Sequence, residues 1–318
     1  MTDIAQITAA AARIAGHARL TPLLESDTLN DVAGRRVLVK AECLQRTGSF
    51  KFRGAWNALS CLPAGKGVLA YSSGNHAQGV ALSARLQGRV AVIVMPADAP
   101  AVKIANTKGY GAEVVLYDRT REDRDAIGAA LAATRGLHLV RPFDDADVIA
   151  GQGTVGLEIA TQAAEAGVSA GAVLTCCGGG GLTAGIAVAL AVHAPGLRVQ
   201  PVEPVGFDDV GQSLAQGRIM KHQGQATICD AIMTPAPGGV TFPIMQAHCG
   251  PGVAVTDDDV RRAMALAFTH LRIVVEPGGA VALTAALFHG GEGPVICTAS
   301  GGNVDPVLFQ QVLRDSTA

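Results

Sequence analysis

The chain has 318 residues, of which 49% are hydrophobic and 16% charged, with 39 glycines and a formal net charge of −2. That length exceeds the usual single domain and allows a large buried core. The near-neutral balance, without a basic run or a basic-and-aromatic patch, implies no nucleic-acid partner, and no uncharged apolar run is long enough to span a membrane.

In chain order, Ile4, Ile7, Ala11 and Ile14 fall at helical spacing, and Asp3 without a basic cluster does not read as the start of a signal peptide. Short β-rich runs then alternate with helical runs almost to the end. Strands are expected at 37–39, 68–71, 90–95, 113–117, 137–140, 172–176, 199–202, 253–255 and 295–298. Helices are expected at 77–86, 121–134, 154–166, 182–192 and 257–270, with one more after the loop at Ser300. Such alternation argues for an α/β fold with a mainly parallel sheet covered by helices, and the near-continuous Val/Ile/Leu strands agree. No repeat, low-complexity segment or shift in composition marks a domain boundary.

The seven cysteines, Cys43, Cys61, Cys176, Cys177, Cys229, Cys249 and Cys297, are odd in number and contain no Cys-x-x-Cys pair. They suggest neither a disulfide framework nor a zinc site. Cys176 and Cys297 lie in apolar runs and read as small buried hydrophobes. A reducing, cytoplasmic compartment is the expectation.

Five segments carry chemistry. Lys51 lies in Thr47-Gly48-Ser49-Phe50-Lys51-Phe52-Arg53-Gly54-Ala55. A lysine amine attacks a carbonyl once burial lowers its pKa, whereas the plain alternative is a surface lysine at a helix start. Ser72-Ser73-Gly74-Asn75-His76 follows a strand and opens a helix, where free backbone N–H groups can bind an anion. Gly178-Gly179-Gly180-Gly181-Leu182 joins a strand to a helix and can curl around a phosphate. The same stretch also reads as a dinucleotide turn, Gly179-x-Gly181-x-x-Ala184, with Glu203 ending the next strand as the ribose-binding acid. Ser300-Gly301-Gly302-Asn303 follows the last strand. Glu203-Pro204-Val205-Gly206-Phe207-Asp208-Asp209 is either a solvated acidic loop or an oxygen-ligand site for a cation.

Taken together, these segments resemble the pyridoxal-phosphate-dependent enzymes of the tryptophan-synthase-β type (fold type II), in the branch of serine/threonine dehydratases, serine racemases and hydroxyaspartate dehydratases. The resemblance covers nearly the whole chain, from Thr21-Pro22-Leu23 to Asn303. It implies two domains, each with a mainly parallel sheet covered by helices. The large cofactor domain would be 1–67 with 145–318, and the small inserted domain 68–144. It implies that Lys51 carries pyridoxal phosphate, Phe50 packs on its ring, Asn75 bonds its 3-hydroxyl, Gly178 to Gly181 and Leu182 hold its phosphate, and Ser300 faces its pyridine nitrogen. A hydroxyl there makes the ring a weaker electron sink, which suits loss of a β-substituent over transamination. Ser72, Ser73, Asn75 and His76 would hold the substrate carboxylate, with Arg121 and Thr234 near the substrate. Glu203, Asp209 and the Phe207 carbonyl would bind Mg²⁺, Mn²⁺ or Ca²⁺.

The implied activity is elimination of water from L-threonine, L-serine or 3-hydroxyaspartate, a small amino-acid substrate, to give a 2-keto acid and ammonia. Racemisation is the alternative, because a serine at position 73 can act as the second acid/base opposite Lys51. A nicotinamide dehydrogenase and a non-catalytic carrier of the cofactor are the other readings. A homodimer is expected from the resemblance, as is the absence of a feedback-regulatory domain responding to isoleucine. The chain departs from the family pattern at Ala231, where glycine is usual, and in the proline-bearing loop 233–239. A hydroxyaspartate substrate also needs a second cation, for which Arg121 is the candidate.

Overall fold

The computed structural model describes residues 2–72, 74–99, 101–221 and 226–316. Ten strands among them form two sheets. The strands are β1 (Leu23–Glu25), β2 (Val37–Lys40), β3 (Val68–Tyr71), β4 (Ala91–Pro96), β5 (Glu113–Tyr117), β6 (His138–Leu139), β7 (Gly171–Cys176), β8 (Leu197–Pro204), β9 (Val253–Val255) and β10 (Val295–Thr298). The helices are α1 (Ile4–Ile14), α2 (Asp27–Ala33), α3 (Lys51–Ser60), α4 (Asn75–Leu86), α5 (Ala101–Gly109), α6 (Arg124–Arg135), α7 (Ala146–Glu165), α8 (Gly181–His193), α9 (Asp209–Gln216), α10 (Thr241–His248), α11 (Asp257–Leu266), α12 (Pro277–Phe288) and α13 (Pro306–Asp315).

The six-stranded sheet has the order β1-β2-β10-β7-β8-β9 and is parallel except for the edge strand β1, which runs antiparallel to β2. The four-stranded sheet, β5-β4-β3-β6, is parallel throughout and is built from residues between 68 and 139. The expected α/β architecture is therefore present, in two sheets.

Where the elements depart from expectation, tertiary packing explains it. Strand β1 has only three residues and no alternation to reveal it. Helix α7 begins eight residues earlier than expected. Asp145 caps it by accepting from the N–H groups of Asp147 and Val148, and the glycines that lower its propensity are there for close packing. A Cβ on Gly151 would lie 2.5 Å from the Arg53 carbonyl of α3, and one on Gly185 of α8 would lie 2.6 Å from the Gly153 nitrogen of α7. The expected helix 257–270 ends in a π-turn at Ala267–Leu271. Helix α12 is buried all round and carries no amphipathic period, so periodicity alone does not separate it from a strand.

Beneath the start of α3 lies a buried ionic network. Arg53 is fully buried and donates to both oxygens of Glu42 at 2.8 Å and to Glu158 at 2.6 and 2.9 Å. Lys40, at the end of β2, also reaches Glu158 and donates to the Thr21 carbonyl at 2.7 Å. Burial would push the Glu42 carboxyl up, but the Arg53 guanidinium outweighs it and holds the group below its usual range. Replacing Arg53 with Ala strands Glu42 as an unpaired buried charge. The expected loss is about 3–5 kcal/mol, read as a lower urea midpoint.

Candidate active site

A cleft of about 1030 Å³, including its open mouth, lies between the two sheets. It opens at the carboxyl ends of β3, β7 and β10, where ligands of open parallel sheets bind. Its walls include Phe50, Lys51, Ser72, Asn75, His76, Gly178, Gly179, Gly180, Gly181, Leu182, Thr234 and Ser300. Residues from five separate stretches of sequence thus meet in one place. Ser73 lies outside the described residues.

Lys51 is the first residue of α3, a position where the helix dipole already disfavours an ammonium. Its Nζ donates to the Pro142 carbonyl at 2.8 Å and stands 5.1 Å from the centroid of the Phe50 ring. Burial lowers its pKa to about 8, against a smaller opposing pull from Glu276. The loop before it is pinned to the loop after β10. Phe50 N–H donates to the Ser300 carbonyl at 3.1 Å, and Asn303 donates to the Thr47 carbonyl at 2.8 Å. Thr47 takes a left-handed backbone there, with φ at 60°. Gly48 must be glycine, since a Cβ would lie 2.7 Å from the Asn303 Oδ1.

Asn303 Nδ2 also donates to Asn75 Oδ1 at 2.7 Å, and Asn75 Nδ2 donates to the buried carboxyl of Glu276. These two partners fix which way the Asn75 amide faces. Burial raises the Glu276 carboxyl to about 7. His76 turns away from substrate space: its Nε2–H donates to the Val140 carbonyl at 2.9 Å. Burial holds its pKa down at about 3, so the ring is neutral. What His76 offers an anion is therefore its backbone and not its ring. Ser72 lines the cleft and accepts from Gly74 N–H at 3.1 Å.

Among the described residues, the N–H groups of Gly178 to Leu182 make no backbone hydrogen bond. They head α8, with Gly180 left-handed at φ 92°. The loop's glycines are crowded on their other side, where a Cβ on Gly179 would run into the Phe143 ring. Gln152 lies beside them, fully buried, with neither side-chain amide atom hydrogen-bonded. Free donors at a helix N-terminus, an unpartnered buried amide and a deprotonatable lysine fit a phosphate-bearing aldehyde such as pyridoxal phosphate. Ser300 is buried two residues beyond the end of β10 and lines the cleft.

Two expected residues are not brought to the cleft. Arg121 sits on an exposed turn, paired with Asp118 at 3.7 Å, with 84% of its side chain exposed. Glu203 is buried at the end of β8 and is captured by the N–H groups of Val210 and Gly211 at 3.0 and 2.8 Å. Its carboxylate is turned to the start of α9 and is not part of the cleft at the glycine loop, which removes the local dinucleotide reading. Asp209 is buried near Glu203, and its Oδ2 has no hydrogen-bond partner. Burial first, and then the neighbouring Asp209 charge, pushes the Glu203 carboxyl well up, while burial raises Asp209 to about 7. Buried Phe207 lies between them in sequence.

Sequence reading missed Glu276, Gln152, Lys103 and the carbonyl of Pro142. None stands in a motif. Asn303 closed a quoted motif without an assigned role, and Asp230 directly precedes Ala231.

Comparison with known proteins places this geometry. A family described as pyridoxal-phosphate dependent enzyme matches residues 14–301. An L-threo-3-hydroxyaspartate ammonia-lyase of Pseudomonas sp is 42% identical over 313 residues, covering 96% of each chain. The crystal structure of a threonine deaminase from T.th. superposes with a TM-score of 0.92 at 44% identity, covering 95% of this chain and 99% of that one. The structure of maize serine racemase gives a TM-score of 0.92 at 35% identity, covering 99% and 98%.

The lowered Lys51 pKa has a direct consequence for the cofactor-free protein. Below about 8 the amine is protonated and inert, so labelling of Lys51 by an amine-directed reagent should rise with pH and level off just above that value. Pulse labelling read by peptide mass spectrometry measures it. A midpoint in the ordinary lysine range would contradict the burial argument.

Proposed function

The chain belongs to the pyridoxal-phosphate-dependent enzymes, and we propose that it is an ammonia-lyase acting on a small β-hydroxy amino acid, with 3-hydroxyaspartate, L-threonine and L-serine as the substrates to try. The substrate loses its α-proton and its β-hydroxyl. Hydrolysis returns one water, so the net products are a 2-keto acid and ammonia. The observation that carries the reading is the Lys51 amine, desolvated in the cleft between Phe50, the free N–H groups of the glycine loop and Ser300.

When bound, pyridoxal phosphate supplies the electron sink for charge that develops at the substrate Cα. The protein supplies the rest. N–H groups of Gly178, Gly179, Gly180, Gly181 and Leu182 would hold the phosphate at the N-terminus of α8, and Phe50 would pack on the ring. Asn75 presents an N–H to the 3-hydroxyl, oriented by Glu276 and Asn303. Ser300 would meet the ring nitrogen with a hydroxyl. The loop Ser72 to His76 would hold the substrate carboxylate, and Thr234 lines the same cleft. Lys51 Nζ takes the Cα proton, a step within reach of an amine whose pKa is near 8.

Keto acid and ammonia, followed by NMR in D₂O with pyridoxal phosphate and Mg²⁺, should appear from at least one of the three substrates. Lys51→Ala should lower the rate by at least about 10²–10⁴-fold, the usual weight of a positioned acid/base. Turnover of none of them would sink the reading. The similarity to maize serine racemase supports a second activity on the same site, racemisation with Ser73 as the opposing acid/base. Ser73→Ala should then abolish deuterium incorporation into the opposite enantiomer while sparing most elimination. Equal loss of both would refute the two-base assignment.

We also propose a divalent cation, Mg²⁺, Mn²⁺ or Ca²⁺, held by Glu203, Asp209 and the Phe207 carbonyl. The support is the unpartnered, buried Asp209 Oδ2 facing a second buried carboxylate. Mg²⁺ should raise the thermal midpoint of wild type and a chelator lower it, with both effects lost in Asp209→Asn. The division into 1–67 with 145–318 and 68–144 is supported by the four-stranded sheet being drawn from a single stretch. A homodimer and a cytoplasmic location complete the proposal. Among the described residues no helix is long and apolar enough to cross a membrane.

A further inference from the structure

We propose that the Lys103–Asp230 ion pair at the mouth of the cleft is the selector for dicarboxylic substrates: Lys103 receives the distal carboxylate of a β-hydroxy dicarboxylic amino acid, which takes the place of Asp230. The inference rests on the ammonia-lyase reading above and names the substrate class of the same site.

Lys103 stands on α5, beside the four-stranded sheet, and Asp230 begins a single 3-10 turn, Asp230–Ile232, on the side of the six-stranded sheet. Their charged atoms meet at 2.6 Å across 127 residues of sequence, and both line the cleft. The two partners are unequal. The Lys103 side chain is 17% exposed and the Asp230 side chain 56%. The lysine is thus the fixed, largely desolvated member, and the aspartate has water to return to. An exposed carboxylate gains little from such a pair, so releasing it costs little. The turn beneath it stays in place, since Ile232 N–H bonds the Cys229 carbonyl and a Cβ on Gly278 would already touch Ala231 and Ile232 at 3.3 Å.

Charge bookkeeping in the cleft points the same way. Among the described lining residues, Lys51 and Lys103 are cationic, Asp230 and Glu276 are acidic, and His76 is neutral. Lys51 is committed to the cofactor and the α-proton, so Lys103 is the cation left for a second carboxylate. Arg121 points into solvent. Arg124 is stacked 5.2 Å from the Tyr71 ring centroid and held beside Asp125. A distal carboxylate exchanges one anion for another at Lys103 and sends Asp230 into water. A substrate with a neutral β-substituent has nothing with which to displace Asp230. Selection is therefore a difference between two anions competing for one lysine.

The test is the ratio of kcat/KM for L-threo-3-hydroxyaspartate to that for L-serine, measured on the holoenzyme and its variants. Lys103→Met should lower the ratio about 10- to 100-fold, the scale of one charge-assisted contact. Lys103→Arg should restore most of it. Asp230→Asn should move the ratio the other way, raising it several-fold by removing the competitor. Independently of turnover, the dissociation constant of succinate, a dicarboxylate without a reacting amine, should weaken in Lys103→Met and tighten in Asp230→Asn by calorimetry. The Asn and Arg variants keep the test informative if the Met variant fails to fold. A wild-type enzyme that turns over L-serine but not hydroxyaspartate, or a ratio that Lys103→Met leaves unchanged, overturns the selector while leaving the ammonia-lyase reading intact. A wild-type enzyme active on L-threonine alone likewise overturns only the selector, and one inactive on all three substrates overturns the ammonia-lyase reading and the selector with it.

Discussion

The guanidinium of Arg53 is the constraint from which the site is built. It lies two residues beyond Lys51, wholly buried, and makes four hydrogen bonds to two carboxylates brought from a 3-10 turn and a helix, Glu42 and Glu158, with further bonds to the Thr154 hydroxyl and the Arg19 carbonyl. A buried ion pair of this kind adds little net stability over a well-packed apolar cluster, because both charges leave water. What it adds is orientation. The fork geometry of arginine tolerates only one rotation of α3 about its axis, and the first turn of α3 carries Lys51. Lys40 ties the same network to the end of β2, so β2, the helix start and α7 are held together by one cluster.

With α3 set, the loops at the strand ends can dock on one another. Ser49 pairs with Gly301, Asn303 joins the Thr47 carbonyl to Asn75, and Glu276 closes the other side of the Asn75 amide. Gly301 and Gly279 are glycines because this docking is tight. A Cβ on Gly279 would run into the Gly301 carbonyl oxygen, and one on Gly301 into the Glu276 carboxylate. The result is a floor of short hydrogen bonds around a lysine whose own charge is disfavoured by burial. Such a site is prepared before any ligand arrives, since its donors, its neutral histidine and its desolvated amine are already set by packing.

The parts that were hard to read in the sequence share a cause. Helix α12 and the first half of α7 carry no useful period, because both are covered on all sides and the glycines of α7 answer to neighbours on α3 and α8. Arg121 matched a pattern by its place in the chain, but the turn it occupies faces solvent. Glu203 fitted a dinucleotide spacing, but the N–H groups at the start of α9 claim its carboxylate. In each case the local sequence permitted two outcomes, and the folding of the surrounding segment chose one.

By itself the sequence determined the alternation of parallel strands and helices, and the family resemblance of its motifs singled out Lys51, Asn75, the run Gly178 to Gly181, and Ser300, which line one cleft. Those features are legible because they depend on local chemistry, such as a strand that stops, a helix that starts and a backbone that only glycine can follow. Only the tertiary structure decided that Glu276 orients Asn75 across 201 residues, that Gln152 lies unpartnered beside the glycine loop, and that Lys103 faces Asp230. Pairings of that kind leave no periodicity or spacing behind, because the energy that selects them is the desolvation of two groups that meet only once the sheets have packed.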